Sequence, residues 1–341
     1  MTMQGILNLN KPIGATSMSM VRLAKRITGQ RKIGHGGTLD PMASGVLPLL
    51  LGQATHMMDY LIEGTKIYRA RILLGVTMDT LDAMGSVVAK SDPTGIKRMT
   101  VEDALEGFKG TISQVPPMHS ALKYKGTRLY SLARAGVEIP REARSVEVFR
   151  IDLTSWDPPQ LTVDVECGRG VYIRALADDL GRTLGCGGHL TALERLRTGP
   201  FSIADSLTPE ELSESAGKDA LKEFLQGPDV VVQHLRAAVV DRDAENQLRQ
   251  GRQIILTWRE SVPAQHQELC RIYSSEERFV ALARYDKALG IWQPIRVFDQ
   301  SEPEKWKPQK FYNEPPPHHL TSDSEAPTPS NLGKLFDRNL S

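Results

Sequence analysis

The chain has 341 residues, of which 40% are hydrophobic and 24% charged, and its formal net charge is +1; this is an ordinary globular composition with room for two domains and a tail. No membrane span or secretion signal is evident, since Asn8, Asn10 and Lys11 follow the N-terminus almost at once, and a cytoplasmic protein is expected. Cys167, Cys186 and Cys270 are far apart and form no CxxC pair, which argues against structural disulfides; Cys186-Gly187-Gly188-His189 lacks a second ligand pair, which argues against zinc.

Gly5 to Asn10 reads as a half-buried strand, and Lys11-Pro12-Ile13-Gly14-Ala15-Thr16-Ser17 as a turn that offers Thr16 or Ser17 as a cap. A helix follows over Met18–Thr28, carries Arg22, Lys25 and Arg26, and ends at Gly29. Next comes Gly34-His35-Gly36-Gly37-Thr38-Leu39-Asp40-Pro41-Met42-Ala43-Ser44-Gly45. The glycines permit positive φ and close approach, and Pro41 holds Asp40 out of the helical region. Asp40 is therefore a carboxylate on a stiff loop, ahead of the nearly all-apolar run Gly45–Leu51. Such a group is a candidate for catalysis, although an aspartate that caps a turn or helix fits the same pattern.

Gln53 to Leu61 reads as a helix, and Lys66 to Gly75 as a strand. On that strand Lys66, Tyr68 and Ala70 share one face, while Ile67, Arg69 and Arg71 share the other. A loop over Asp79–Gly85 precedes the strand Ser86–Ala89, and Thr100 caps a short helix ending near Phe108, with Asp103 three residues on. Residues 116–146 form the most basic part of the chain. Lys123, Lys125, Arg128, Arg134, Arg141 and Arg144 outnumber Glu138 and Glu142, and Tyr124 and Tyr130 interleave with them. A charge run is commonly a solvated face; cations mixed with aromatic rings also suit RNA, whose phosphates and exposed bases they match.

Val146–Ile151 and Leu161–Cys167 alternate as strands, and Val171–Gly181 passes into a helix that stops at glycine. If Arg174 is buried, it needs a carboxylate partner. Asp178 on the same helix is one candidate and Asp40 the other; breaking a buried Arg174–Asp40 pair from either side should cost roughly 3–5 kcal/mol. Thr208-Pro209-Glu210-Glu211 opens a further helix. After Gly227-Pro228 the texture changes to short strand-like runs at 239–240, 252–256, 268–273, 279–284 and 295–298, as in a small barrel or sandwich. The segment 299–341, with Pro315-Pro316-Pro317, reads as a disordered tail. The expected domains are 1–227, 228–298 and this tail.

Taken together, Lys11-Pro12-x-Gly14-x-Thr16-Ser17, Gly36-Gly37-Thr38-Leu39-Asp40-Pro41, Ala43-Ser44-Gly45-Val46-Leu47, Lys66-x-Tyr68, Asp79–Gly85, Tyr172-Ile173-Arg174 and His189–Phe201 resemble the motifs of the bacterial TruB family of tRNA pseudouridine synthases. The resemblance covers about residues 3–300. Its implied fold is α+β, with a mixed, largely antiparallel central sheet flanked by helices and loops and a small C-terminal PUA-like β-barrel. The 116–146 stretch corresponds to the thumb insertion that folds against RNA.

The resemblance implies isomerisation of uridine-55 in the tRNA T-loop, with no metal or redox cofactor, no obligate protein partner and a monomeric enzyme. It makes Asp40, Arg174 and Tyr68 catalytic: Asp40 attacks C1′ or removes the C2′ proton, Arg174 orients it, and Tyr68 stacks on the flipped base. His35 fills the gap the base leaves, Tyr172 and Leu193 enclose the uracil, and Lys11 and Lys66 belong to the motifs beside the loop. Lys123, Arg128, Arg134 and Arg141 supply the RNA-facing charge of the thumb. Family members carry two arginines after the leucine at position 193; here Glu194 replaces the first. An RNA-folding protein without chemistry is disfavoured by the joint presence of Asp40, Tyr68 and Arg174. A hydrolase is disfavoured because no Gly-x-Ser-x-Gly elbow accompanies His35-Gly36-Gly37.

Overall fold

A computed structural model describes residues 3–120, 122–215, 218–256 and 263–298. The expected tail at 299–341 lies outside the described residues. The chain divides into two compact units, Met1–Val231 and Val232–Ser341.

In the first unit, β1 (Gly5–Lys11) leads into α1 (Ser17–Thr28). Thr16 caps this helix by accepting from the Ser19 amide, and its own amide donates to the Ser19 hydroxyl. Gly29, at φ 69°, ends it. β2 (Ile33–His35) and β3 (Ala43–Leu51) flank the aspartate loop. The helix expected over 53–61 is split into a 3-10 segment at Gly52–Met57 and α2 (Met58–Glu63). β4 (Lys66–Leu74) follows, and the hairpin of β5 (Val76–Met78) and β6 (Val87–Lys90) carries the Asp79–Gly85 loop. α3 (Arg98–Glu106) starts earlier than Thr100 suggested, with Lys97 at the cap. The buried pair Val101 and Leu105 sets its inner face, and Thr100 falls inside the first turn.

β7 (Gly110–Gln114) precedes the basic segment, which holds the hairpin β8 (Lys123–Tyr124) and β9 (Thr127–Arg128) and then α4 (Leu129–Arg134). β10 (Arg144–Asp157) and β11 (Gln160–Cys167) come next. α5 (Ile173–Thr183) runs past Gly181, where a stop was expected. Gly181 serves packing instead: a Cβ there would lie 2.1 Å from the Gly188 amide nitrogen. β12 (Gly188–Thr198), β13 (Phe201–Ser202), α6 (Pro209–Glu214), α7 (Lys218–Lys222) and β14 (Leu225–Gln226) complete the unit.

Among the described residues these strands make one ten-stranded sheet, ordered β14-β1-β3-β12-β4-β11-β10-β7, with β2 on β3 and β13 on β12. Its pairs are antiparallel except β3–β12, where Leu193, Glu194 and Arg195 run parallel to Ala43, Ser44 and Gly45. The sheet is thus mixed and largely antiparallel, as expected. One apolar cluster joins Ala70, Ile72, Val163 and Leu190 to Val101, Leu105, Leu176 and Leu180 of α3 and α5. A second joins Leu7, Leu9, Leu47 and Leu49 to Met20, Val21 and Ala24 of α1 and Leu212 of α6.

In the second unit, β15 (Arg236–Val240), α8 (Arg242–Arg249), β16 (Leu269–Ser274), β17 (Phe279–Asp286) and β18 (Ile291–Val297) surround Leu248, Ile272, Val280 and Trp292. The strands lie in the order β15-β16-β17-β18. The run at 252–256, expected to be a strand, contributes only a bridge from Ile254 to Trp292. The described strands therefore form an open four-stranded sheet and not the closed barrel expected.

Candidate active site

The aspartate loop is pinned at both shoulders. Ser17, the first residue of α1, uses its hydroxyl both to accept from the Leu39 amide at 2.9 Å and to donate to the Leu39 carbonyl at 3.2 Å. The Gly14 amide donates to the Pro41 carbonyl, and the Ala43 amide to the Asp40 carbonyl. Asp40 thus sits in a turn fixed on either side by the 11–17 motif, at the point where β3 enters the sheet. Gly37, at φ 120°, supplies a backbone shape that L side chains rarely adopt.

Arg174, at the start of α5, points its Nε at Asp40 Oδ2 across 3.0 Å. Its Nη1 lies 3.4 Å from Asp82 Oδ2, and the same fork donates to the carbonyls of Thr80 and His119 at 3.3 and 2.7 Å. Asp178, the other candidate partner, pairs with Arg182 at 3.1 Å. Asp82 is itself held by the Thr80 hydroxyl and the Met84 amide. The Arg174 side chain is 5% exposed, that of Asp82 7%, but that of Asp40 is 36% exposed. One buried guanidinium therefore bridges a sequestered carboxylate and an accessible one. Burial raises the Asp40 pKa above its ordinary 3.8; Arg174 opposes this, Asp82 adds to it and Lys11 opposes it.

Beneath the loop lies Arg195 of β12, 1% exposed. Its Nε donates to the Val46 carbonyl at 2.7 Å and its Nη2 to the Gly37 carbonyl at 3.1 Å. On the neighbouring strand it stands opposite Tyr68 of β4. β3 must come very close to β12 here. A Cβ on Gly45 would lie 2.2 Å from the Arg195 carbonyl oxygen, and Gly45 is at φ 106°. Burial raises the pKa of the Tyr68 phenol; Arg195 opposes the rise, and Asp40 adds to it.

Lys11 is wholly buried, with its ammonium on the carbonyls of Pro12 and Ala15 at 2.9 and 2.8 Å. Burial brings its pKa down to about 8, against a pull upward from Asp40 and with help from Arg195. Lys66 donates to the carbonyls of Ile62 and Gly64 at the end of α2, and its pKa falls to about 8 through burial and then Arg195. The His35 Nδ1 atom is buried without a hydrogen-bond partner. Burial, Arg195 and Arg128 all lower the His35 pKa, which keeps its imidazole neutral near pH 7.

Tyr172 is clamped by Gln114: its amide donates to Oε1 at 2.7 Å and its carbonyl accepts from Nε2 at 3.1 Å. Burial raises the pKa of its phenol, and the neighbouring Ser120 opposes the rise. Leu193 is buried in the cluster that contains Leu39, Ala43, Met42 and Tyr68. The structure thus gathers Lys11, His35, Asp40, Tyr68, Tyr172, Arg174 and Leu193 near the aspartate loop and Arg195.

The thumb cations stand apart from this group. Lys123, Arg128 and Arg134 are exposed, Arg128 and Arg134 lie over the Tyr130 ring at 6.0 and 5.7 Å, and Arg141 pairs with Glu138 at 3.4 Å. Only Arg128 among them is felt in the cleft, through His35. Sequence reasoning gave no role to Asp82, Thr80 or Arg195. The available signal was an acid in a loop rich in turn residues, and the second cation after Leu193, which the replacement at Glu194 obscured.

A family model described as "TruB family pseudouridylate synthase (N terminal domain)" matches residues 25–173, and one described as "tRNA pseudouridylate synthase B C-terminal domain" matches residues 174–249. A protein named tRNA pseudouridine synthase B from Dehalococcoides mccartyi is 40% identical over 303 residues, covering 89% of this chain and 99% of its own. One of the same name from Thiobacillus denitrificans is 45% identical over 284 residues, covering 82% and 91%. Among solved structures, "Crystal Structure of a Cbf5-Nop10-Gar1 Complex" has a TM-score of 0.64 at 25% identity, covering 86% of this chain and 84% of that one.

Proposed function

The chain belongs to the TruB family of pseudouridylate synthases, and from that premise we propose that it isomerises uridine-55 in the T-loop of tRNA to pseudouridine. Relatives that cover most of their own length and are named tRNA pseudouridine synthase B support an isomerase acting on tRNA. The observation that carries the reading is the 3.0 Å contact between Arg174 and the accessible carboxylate of Asp40. Isomerisation breaks the N1–C1′ bond, turns the uracil and rejoins it through C5. Asp40 serves this either as nucleophile at C1′ or as base at C2′, and both roles need an aimed, ionised carboxylate.

The base must first leave its stack, at a cost of a few kcal/mol. Stacking on Tyr68, worth ~1–3 kcal/mol per base, offsets much of that. His35 takes the place of the departed base, Tyr172 and Leu193 close on the uracil, and Lys11 and Lys66 brace the loop from behind. Lys123, Arg128, Arg134 and Arg141 track the backbone of the T-arm. The enzyme acts as a cytoplasmic monomer and needs no cofactor.

Incubation with unmodified tRNA, followed by mapping of pseudouridine to the nucleotide, tests this. Modification confined to position 55 and lost in Asp40→Ala and Asp40→Asn is expected. Turnover retained in both variants, or modification at another position, overturns it.

A further inference from the structure

Arg195 is a buried guanidinium for which no carboxylate lies within ion-pair distance among the described residues. Its hydrogen-bond partners are neutral, the carbonyls of Val46 and Gly37, and the residue opposite it on β4 is Tyr68. An uncompensated buried cation is costly, and a fold that only needed to tie two strands could use an uncharged donor. The surplus is wider than one residue. Lys11, Lys66, Arg174 and Arg195 are all buried here, against the carboxylates of Asp40 and Asp82. The charge of Arg195 is felt at Lys11, His35, Lys66 and Tyr68, groups that border the cleft and its floor.

We infer that Arg195, beside Tyr68 on the neighbouring strand, supplies the positive field that stabilises the uracil as an anion after it leaves C1′. This deepens the proposed reaction and rests on it. When the N1–C1′ bond breaks, its electron pair stays with N1, and the negative charge spreads over N1, O2 and O4 of the free base. Asp40 gives up its own charge in the same stage, as a neutral ester at C1′ or as a neutral acid that has taken the C2′ proton. The charge thus moves from Asp40 to the uracil. On rejoining, C5 bonds to C1′ and loses its proton, N1 gains one, and Asp40 returns to carboxylate, by leaving C1′ in the ester route or by giving its proton back to C2′ in the other, so the cycle is balanced. A preorganised cation facing the position where charge develops is the arrangement that lowers such a barrier. Arg195 stands opposite the tyrosine proposed to stack on the base and is not placed on the base itself; it is a positioning residue with an electrostatic reach.

The test compares leaving groups. Single-turnover loss of the substrate nucleoside is followed in tRNA carrying uridine or 5-fluorouridine, whose fluorine already stabilises the departing anion. Arg195→Gln removes the charge but keeps a donor; Arg195→Lys keeps the charge. On uridine, Arg195→Gln is expected to slow conversion about 10²-fold, as loss of an oxyanion donor does, with Arg195→Lys much closer to the parent enzyme. On 5-fluorouridine the penalty of Arg195→Gln should be several-fold smaller. Equal penalties on the two substrates, or a lysine variant as slow as the glutamine one, overturns the inference. If Arg195→Gln does not fold, Arg195→Met, which also removes the charge, decides by the same comparison on the two substrates. A parent enzyme that makes no pseudouridine at all refutes the proposed reaction and not this assignment.

Discussion

At Asp40, burial and neighbouring charge pull in opposite directions, and burial prevails. The proposed chemistry needs the ionised form, so the acid limb of the kcat/KM profile should lie above the ordinary carboxylate value of 3.8. An acid limb at or below that value in a pH series on tRNA contradicts the balance described. The same raised pKa has a sign for stability. A group whose folded pKa exceeds its unfolded value contributes stability below the unfolded pKa and loses it as pH rises through the folded one. At pH 7 Asp40 is past that window, so Asp40→Asn should melt higher than the parent protein while losing activity. Arg174 is not symmetric with it. Without Asp40, Arg174 keeps Asp82, whereas without Arg174 two carboxylates face each other with no cation between them. Arg174→Met should therefore cost about 3–5 kcal/mol in urea unfolding. The sequence-based expectation of an equal cost from either side took no account of Asp82, which the structure places beside Arg174.

Among the elements, the decisive pair is β3 with β12. Asp40 enters the cleft where β3 starts, and Tyr68 of β4 reaches it from the opposite flank of β12. Gly45 makes the close approach possible in two ways, through its positive φ and through the space beside the Arg195 backbone. Gly45→Ala should unfold at a clearly lower temperature than the parent and lose activity in proportion to the protein left unfolded; an unchanged melting curve would show that the strands can part without cost. Much of this was legible in advance. The glycine-flanked aspartate, the alternation around Tyr68 and the lone arginine of Tyr172-Ile173-Arg174 each stand out locally. Asp82 and Arg195 do not, because their meaning depends on which strands meet. Gly181 misled for the same reason: as a local signal it ends a helix, yet here it admits Gly187 and Gly188 against α5.

At the scale of the whole molecule, each side chain and backbone partner described in the cleft, from Lys11 to Arg195, lies within Met1–Val231. That unit has its own two apolar clusters. A chain ended at Val231 should accordingly keep pseudouridine formation on tRNA, with kcat near that of the parent; loss of turnover at saturating tRNA would show that the second unit contributes to chemistry. The open sheet of that second unit was the least legible part of the fold. Short apolar runs separated by turns fit a barrel, a sandwich or a single sheet equally well, and nothing local in them fixes closure.

The parallel pairing of Ala43 with Leu193 joins positions about 150 residues apart in the chain, and contacts of such long range form late. During synthesis the carboxylate loop leaves the ribosome long before the strand that anchors it. A nascent chain that has displayed Asp40, and even Tyr68, still lacks the arginines that aim and floor the cleft. A translation product truncated before β12 should therefore form no pseudouridine even though it carries Asp40, Tyr68 and Arg174.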